Sequence, residues 1–340
     1  MDGKKTLNRR LVKYIYNKHR LNSSQFKLLI QILTVYLKWK TVKVIAAPPR
    51  PLILMVEPAN RCNFNCPLCD RGAGLLNRPE GQMSLDSFSK LLDMAGRGLK
   101  LLMLWNQGEP FLNKNLLDMV KLAKKQKVFT VISSNGSLID RSIDKIIESG
   151  LDEIIISLDG LDTETYNMYR RGGDFDKIVD NIKLLSDARG GRLKPLISLQ
   201  FLLLKSNSSL INRFKDFAES IGADRALLKT VQVSNPAQAE EFLPEDNRLS
   251  RYTDRDGRMI KRRRDECRRI LYSAVIDWNG NMVPCCFDKD EHCLMGNIFE
   301  EGFDECWRGE KFRKFRKNIL TGNRPAMCGN CTEGLEKLFL

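Results

Sequence analysis

The chain has 340 residues, 42% of them hydrophobic and 29% charged, a mix that excludes a disordered or multi-span membrane protein. Its net charge of +14 is local. The first fifty residues hold twelve Lys or Arg against one acid, Asp2, which leaves only +3 for the other 290. Nucleic acid is therefore not expected as a partner of the whole surface, whereas the basic extension suits a membrane surface. No apolar run reaches the roughly eighteen residues of a spanning helix, and none precedes a small-residue cleavage site. The expected location is the cytoplasm, peripheral to a membrane if the extension binds one. Two histidines, His19 and His292, leave too few for a His-rich metal site.

In chain order, residues 1–50 read as a basic helical extension. Ser23 or Ser24 can cap a helix through Phe26, Leu29, Ile30, Leu33 and Leu37, packed on the body or lying at an interface. Pro48, Pro49 and Pro51 then suggest a linker. Residues 51–245 alternate strand and helix. Strands are expected at 52–57, 101–105, 128–133, 154–158, 196–203 and 226–231, with helices at 85–95, 116–125 and 176–187 among them. Six βα units predict a parallel sheet closed into a barrel or partial barrel. Residues 246–340 differ: a basic stretch around Cys267 includes Lys261-Arg262-Arg263-Arg264. Asn279-Gly280 marks a hairpin, and a single helix is expected over 303–319.

Ten cysteines fall in two groups. Cys62, Cys66 and Cys69 follow the first strand, and the other seven lie beyond residue 266. Such grouping without a secretory signal points to metal rather than disulfides. Three thiolates at the C-terminal mouth of a parallel barrel are one short of a closed tetrahedral site. They leave one iron of a [4Fe–4S] cubane open; a zinc knuckle borrowing a distant fourth ligand is the alternative.

The run Cys62-Asn63-Phe64-Asn65-Cys66-Pro67-Leu68-Cys69 resembles the signature of the radical S-adenosylmethionine (SAM) enzymes. That resemblance implies a cluster whose open iron chelates the methionyl amine and carboxylate of SAM. Reductive cleavage of SAM then yields a 5′-deoxyadenosyl radical that abstracts hydrogen from an organic substrate. Gly108-Glu109-Pro110 resembles the segment that meets the methionyl amine; a carboxylate suits an ammonium, and Gly108 lets the backbone approach. Ser134, Asn135 and Ser157, at later strand ends, match cofactor-contacting positions, Ser134 and Asn135 falling in the ribose-contacting segment. Arg170 matches the methionyl-carboxylate position, with Arg171 one residue away. Phe64 and Leu68 are placed beside the adenine.

The tail resembles the SPASM/twitch extension of the same superfamily. Cys267, Cys285 in Gly280-x4-Cys285, Cys328 and Cys331 are implied to hold one auxiliary [4Fe–4S] cluster, with Cys286 as the rival of Cys285. Four cysteine ligands would equally suit structural zinc. Cys293 and Cys306 read as thiols outside the site. The implied fold is α/β: a partial (β/α)6 TIM-like barrel over 51–245, a small C-terminal cysteine-rich module over 246–340 and the basic extension over 1–50. The expected substrate is small or carbohydrate-like, with flavodoxin or ferredoxin as electron donor. The alternatives are a peptide- or protein-modifying maturase and a non-catalytic membrane-associated iron–sulfur protein.

Overall fold

Near-continuous runs of Ile, Leu, Met and Val form the strands, as expected where both faces of a parallel sheet are covered. A computed structural model describes residues 48–255, 258–261, 267 and 269–331. Its regular elements begin with β1 (Ile53–Val56), α1 (Leu85–Ala95), β2 (Leu101–Leu104), α2 (Leu116–Lys125), β3 (Phe129–Ser134) and α3 (Ile143–Ser149). They continue with β4 (Glu153–Ser157), α4 (Thr163–Asn167), α5 (Phe175–Arg189), β5 (Leu196–Leu203), α6 (Ile211–Ser220), β6 (Arg225–Thr230) and α7 (Pro236–Phe242). The C-terminal part holds β7 (Tyr252–Arg255), β8 (Arg258–Lys261), β9 (Ser273–Ile276), β10 (Asn281–Val283), β11 (Gly296–Asn297), α8 (Phe303–Arg308) and α9 (Glu310–Leu320).

Strands β1 to β6 pair in sequence order, all parallel, and so build the partial barrel. Helix α1 shows how its walls form. Ser84 caps it by accepting from Ser87 N at 3.0 Å, and Phe88, Leu91, Leu92 and Ala95 recur at helical spacing on its buried face. Each large apolar side chain fully buried there contributes about 1.5–3 kcal/mol.

The hairpin β9–β10 turns at Asn279-Gly280 as expected. Its placement was not expected: β9 runs parallel to β1, Ile53 opposite Ser273, so hairpin and barrel form one nine-stranded sheet. The sequence change near residue 245 is thus no break in the sheet. Residues Ala47–Leu340 make one compact unit and Met1–Ala46 another. The expected basic helix, and Arg262–Arg264 of the basic run, lie outside the described residues. Among described residues no helix is long and apolar enough to cross a membrane.

Two local expectations are corrected. The helix over 303–319 is two helices meeting at Gly309, where a Cβ would collide with the Glu305 carbonyl oxygen. The prolines at 48 and 49 are no loose linker. Trp307 Nε1 donates to Pro49 O at 2.9 Å and Arg308 Nε to Pro48 O at 3.1 Å, fixing the chain on α8.

Candidate active site

The first cysteine loop leaves β1 at the C-terminal mouth of the barrel. Backbone bonds tie it to two neighbours, Glu109 N donating to Arg61 O at 2.7 Å and Asn65 N to Arg171 O at 2.9 Å, and a third closes a turn within it, Cys69 N donating to Cys66 O at 3.1 Å. Gly108 permits the first of these. Its φ is +83°, and a Cβ there would sit 2.5 Å from Arg61 O and 2.7 Å from Ala59 O.

Glu109 is 1% exposed. Its carboxylate accepts from Ser134 Oγ at 2.8 Å, Asn135 N at 2.7 Å and Phe111 N at 3.1 Å. Burial pushes its pKa up against those three donors and the more distant Arg170. No described cation lies within ion-pair distance of it, so a buried carboxylate is left ready for one. Asn135 Nδ2 donates to Asn63 Oδ1 at 3.0 Å and lies 4.0 Å from Cys62 Sγ. Asn63 Nδ2 in turn donates to Ser137 Oγ at 2.9 Å.

Arg170 and Arg171 separate cleanly. Arg171 is exposed, whereas Arg170 Nε donates to Asp159 Oδ2 at 2.5 Å and Arg170 Nη1 lies 3.9 Å from Cys66 Sγ. Asp159, fully buried, also accepts from Leu202 N at 2.6 Å, so it holds the arginine in place. Burial raises the Cys62 thiol to about 11, partly offset by the Phe64 N–H, while Glu109, Cys69 and Cys66 raise it further. Cys66 is likewise raised by burial and lowered by Arg170. Phe64 is buried with its ring against Gly173, Leu68 is half-buried beside Cys69, and Ser157 ends β4 3.5 Å from Gln200 Nε2.

The triad, Glu109, Ser134, Asn135 and Arg170 are thus brought together. No three described Cys, His, Asp or Glu side chains converge as one metal ion demands. The three thiols of the one loop lie close enough to feel one another's charge, as thiolates on separate corners of a polynuclear cluster would.

On the hairpin side of the mouth the structure adds a network that includes residues outside any motif, Arg78 and Asp277. Arg78 forks onto Glu57, Nη1 to Oε2 at 2.6 Å and Nη2 to Oε1, and lies 3.7 Å from Asp277 Oδ1. Asn106 Nδ2 donates to Asp277 at 2.9 Å and Gln107 N to Glu57 at 3.1 Å. Glu57 and Gln107 thus serve this network, which joins barrel to hairpin. Burial and the neighbouring Glu57 hold the Asp277 carboxyl well above the usual range.

In the C-terminal group, burial first and then the neighbouring Cys286 push the Cys285 thiol well up, with smaller effects from Cys331, which raises it, and Arg269, which lowers it. Cys286 packs with Met55, Val275 and Val283. Cys328 and Cys331 flank one turn, Cys331 N donating to Cys328 O at 3.2 Å, and Cys267 is half-buried. Cys293 lies close enough to Cys328 to feel its charge, a proximity that spacing did not reveal; Cys306 is buried beside Glu301.

The profile of the Radical SAM superfamily matches residues 56–203, and that of the SPASM iron–sulfur cluster-binding domain matches residues 267–332. The chain belongs to the radical SAM superfamily. It is an enzyme of the SPASM-bearing kind, with [4Fe–4S] clusters and SAM as its cofactors, and it requires a reductant. It is similar to the tungsten-containing aldehyde ferredoxin oxidoreductase cofactor-modifying protein of Pyrococcus furiosus, 27% identical over 78% of this chain and 84% of that one. It also resembles the PqqA peptide cyclase of Granulibacter bethesdensis, 25% identical over 54% of this chain but about half (48%) of the cyclase. The crystal structure of Streptococcus suis SuiB bound to S-adenosylmethionine shares this radical SAM fold. Its TM-score is 0.63 at 17% identity, over 96% of this chain and 82% of that one.

Proposed function

We propose that this radical SAM enzyme modifies a peptide or protein. Similarity to the PqqA peptide cyclase supports that substrate class over the small or carbohydrate-like one expected from the sequence. In this reading residues 51–245 carry the radical chemistry and residues 246–340 the auxiliary site. Flavodoxin or ferredoxin is the proposed reductant.

When bound, the cofactors supply a 5′-deoxyadenosyl radical that takes hydrogen from the substrate. Cys62, Cys66 and Cys69 would hold the first cluster, and Cys267, Cys285, Cys328 and Cys331 the auxiliary one. The observation that carries the chemistry is Glu109: a buried carboxylate with three donors and no cation, beside the triad. It would receive the methionyl amine, with Gly108 clearing the backbone. Arg170, oriented by Asp159, would receive the methionyl carboxylate. Ser134 and Asn135 would meet the ribose, Ser157 would line the site, and Phe64 and Leu68 would border the adenine.

The test compares SAM consumption by the reconstituted, reduced enzyme with a pool of linear peptides and with a pool of polyols. Peptide-stimulated 5′-deoxyadenosine and a mass change on a peptide are expected. Stimulation by polyols alone would overturn the peptide reading.

A further inference from the structure

Strand β6 carries one charge that the protein leaves unanswered. Its register on β5 sets Leu227 beside Gln200 and Lys229 beside Leu202. Neighbours in register share a face, and faces alternate along a strand. Gln200 faces the lumen, 3.5 Å from Ser157 Oγ, whereas Phe201 faces the helices, its ring 4.6 Å from that of Phe214 on α6. Lys229 therefore stands on the lumen side. Its side chain is exposed to solvent, and the protein around it, through burial first, lowers its pKa. Cys286 raises the pKa, Arg251 and Arg170 lower it, and Asp159 raises it.

Three cations border this part of the lumen, and two are engaged. Arg170 has Asp159 and Cys66. Arg251 donates to the carbonyl oxygen and, at 3.1 Å, to the hydroxyl of Thr230, and it feels the charge of Cys331. Among the described residues none gives Lys229 a hydrogen bond or an ion pair. Lys229 is exposed, so its ammonium is open to whatever enters the mouth of the lumen. The facing wall is apolar: Val275, Met55 and Met103 lie in register on the lumen face, with Trp105 and Cys286 packed against them.

We propose that Lys229 is a substrate-binding residue that receives an anionic group of the substrate, while the apolar wall receives the adjoining side chain. The identity of that anion as a peptide carboxylate rests on the peptide reading above; a phosphate would use the same chemistry. Both groups are compact acceptors for a lysine ammonium.

Trace acetylation of the reconstituted holoenzyme with SAM, read lysine by lysine by mass spectrometry, tests this with acetate and inorganic phosphate as probes at constant ionic strength. A probe at about four times its Kd should slow labelling of Lys229 about fivefold and leave surface lysines unchanged. Protection by acetate supports the proposal with a carboxylate as the ligand. Protection by phosphate alone supports the anion site and counts against the peptide reading. No protection by either, or equal slowing at every lysine, overturns the proposal.

Discussion

Two carboxylates end adjacent strands at the barrel mouth, and the protein treats them in opposite ways. Glu57, after β1, is closed off by the forked Arg78 and linked through it to Asp277 of the hairpin. Glu109, after β2, is as deeply buried but meets only neutral donors. A buried charge that is already paired holds structure together. One that is solvated by dipoles but lacks a counter-ion is held for a ligand. The contrast divides the mouth into a wall that fastens the hairpin and a wall that, in the proposed function, receives SAM.

The largest expected effect breaks the fastening wall. Arg78→Met leaves Glu57 buried and unpaired, which costs about 3–5 kcal/mol, while Glu57→Gln with Arg78→Met together should cost clearly less. Chemical denaturation of the four members of the cycle measures this. Equal, additive losses would show that the pair is not coupled.

The next effect falls on the receiving wall. Glu109→Gln should weaken SAM binding by tenfold or more while the fold persists. Its pH behaviour has a definite sign. A carboxyl raised in the folded state costs stability as pH climbs from the ordinary carboxylate range through the raised value. Without SAM, the parent should therefore lose stability across that window relative to Glu109→Gln. The two should differ least in acid, where both side chains are neutral. A parent that gains stability with rising pH relative to the variant would contradict the picture.

Much of this contrast was legible in the sequence, though unequally. The receiving wall is built from short motifs at strand ends, and each strand lies next to its successor, so chain order equals spatial order. Helices 85–95 and 116–125 and the hairpin at Asn279-Gly280 were equally legible, because local periodicity and turn chemistry set them. The fastening wall was not. Arg78 sits in an irregular loop with no motif, and Asp277 reaches it only because β9 pairs with β1 across more than two hundred residues. Lys229 was silent for a related reason: its facing is set by the β5–β6 register. The break at Gly309 was missed because its flanking segments share a helical pattern.

A smaller effect concerns the paired cysteines of the hairpin. Cys285→Ser should lower bound iron by about four per chain, the content of one cubane, whereas Cys286→Ser should leave it unchanged. Iron and sulfide analysis after reconstitution distinguishes them, and the reverse pattern would exchange their roles.

The most direct measurement is 5′-deoxyadenosine formation under anaerobic, reducing conditions. It compares the reconstituted enzyme, given the peptide pool, with the variant carrying Cys62→Ala, Cys66→Ala and Cys69→Ala. The account predicts product from the first and none from the second, with the auxiliary iron retained. Equal product from both would contradict the assignment of the radical chemistry to this triad.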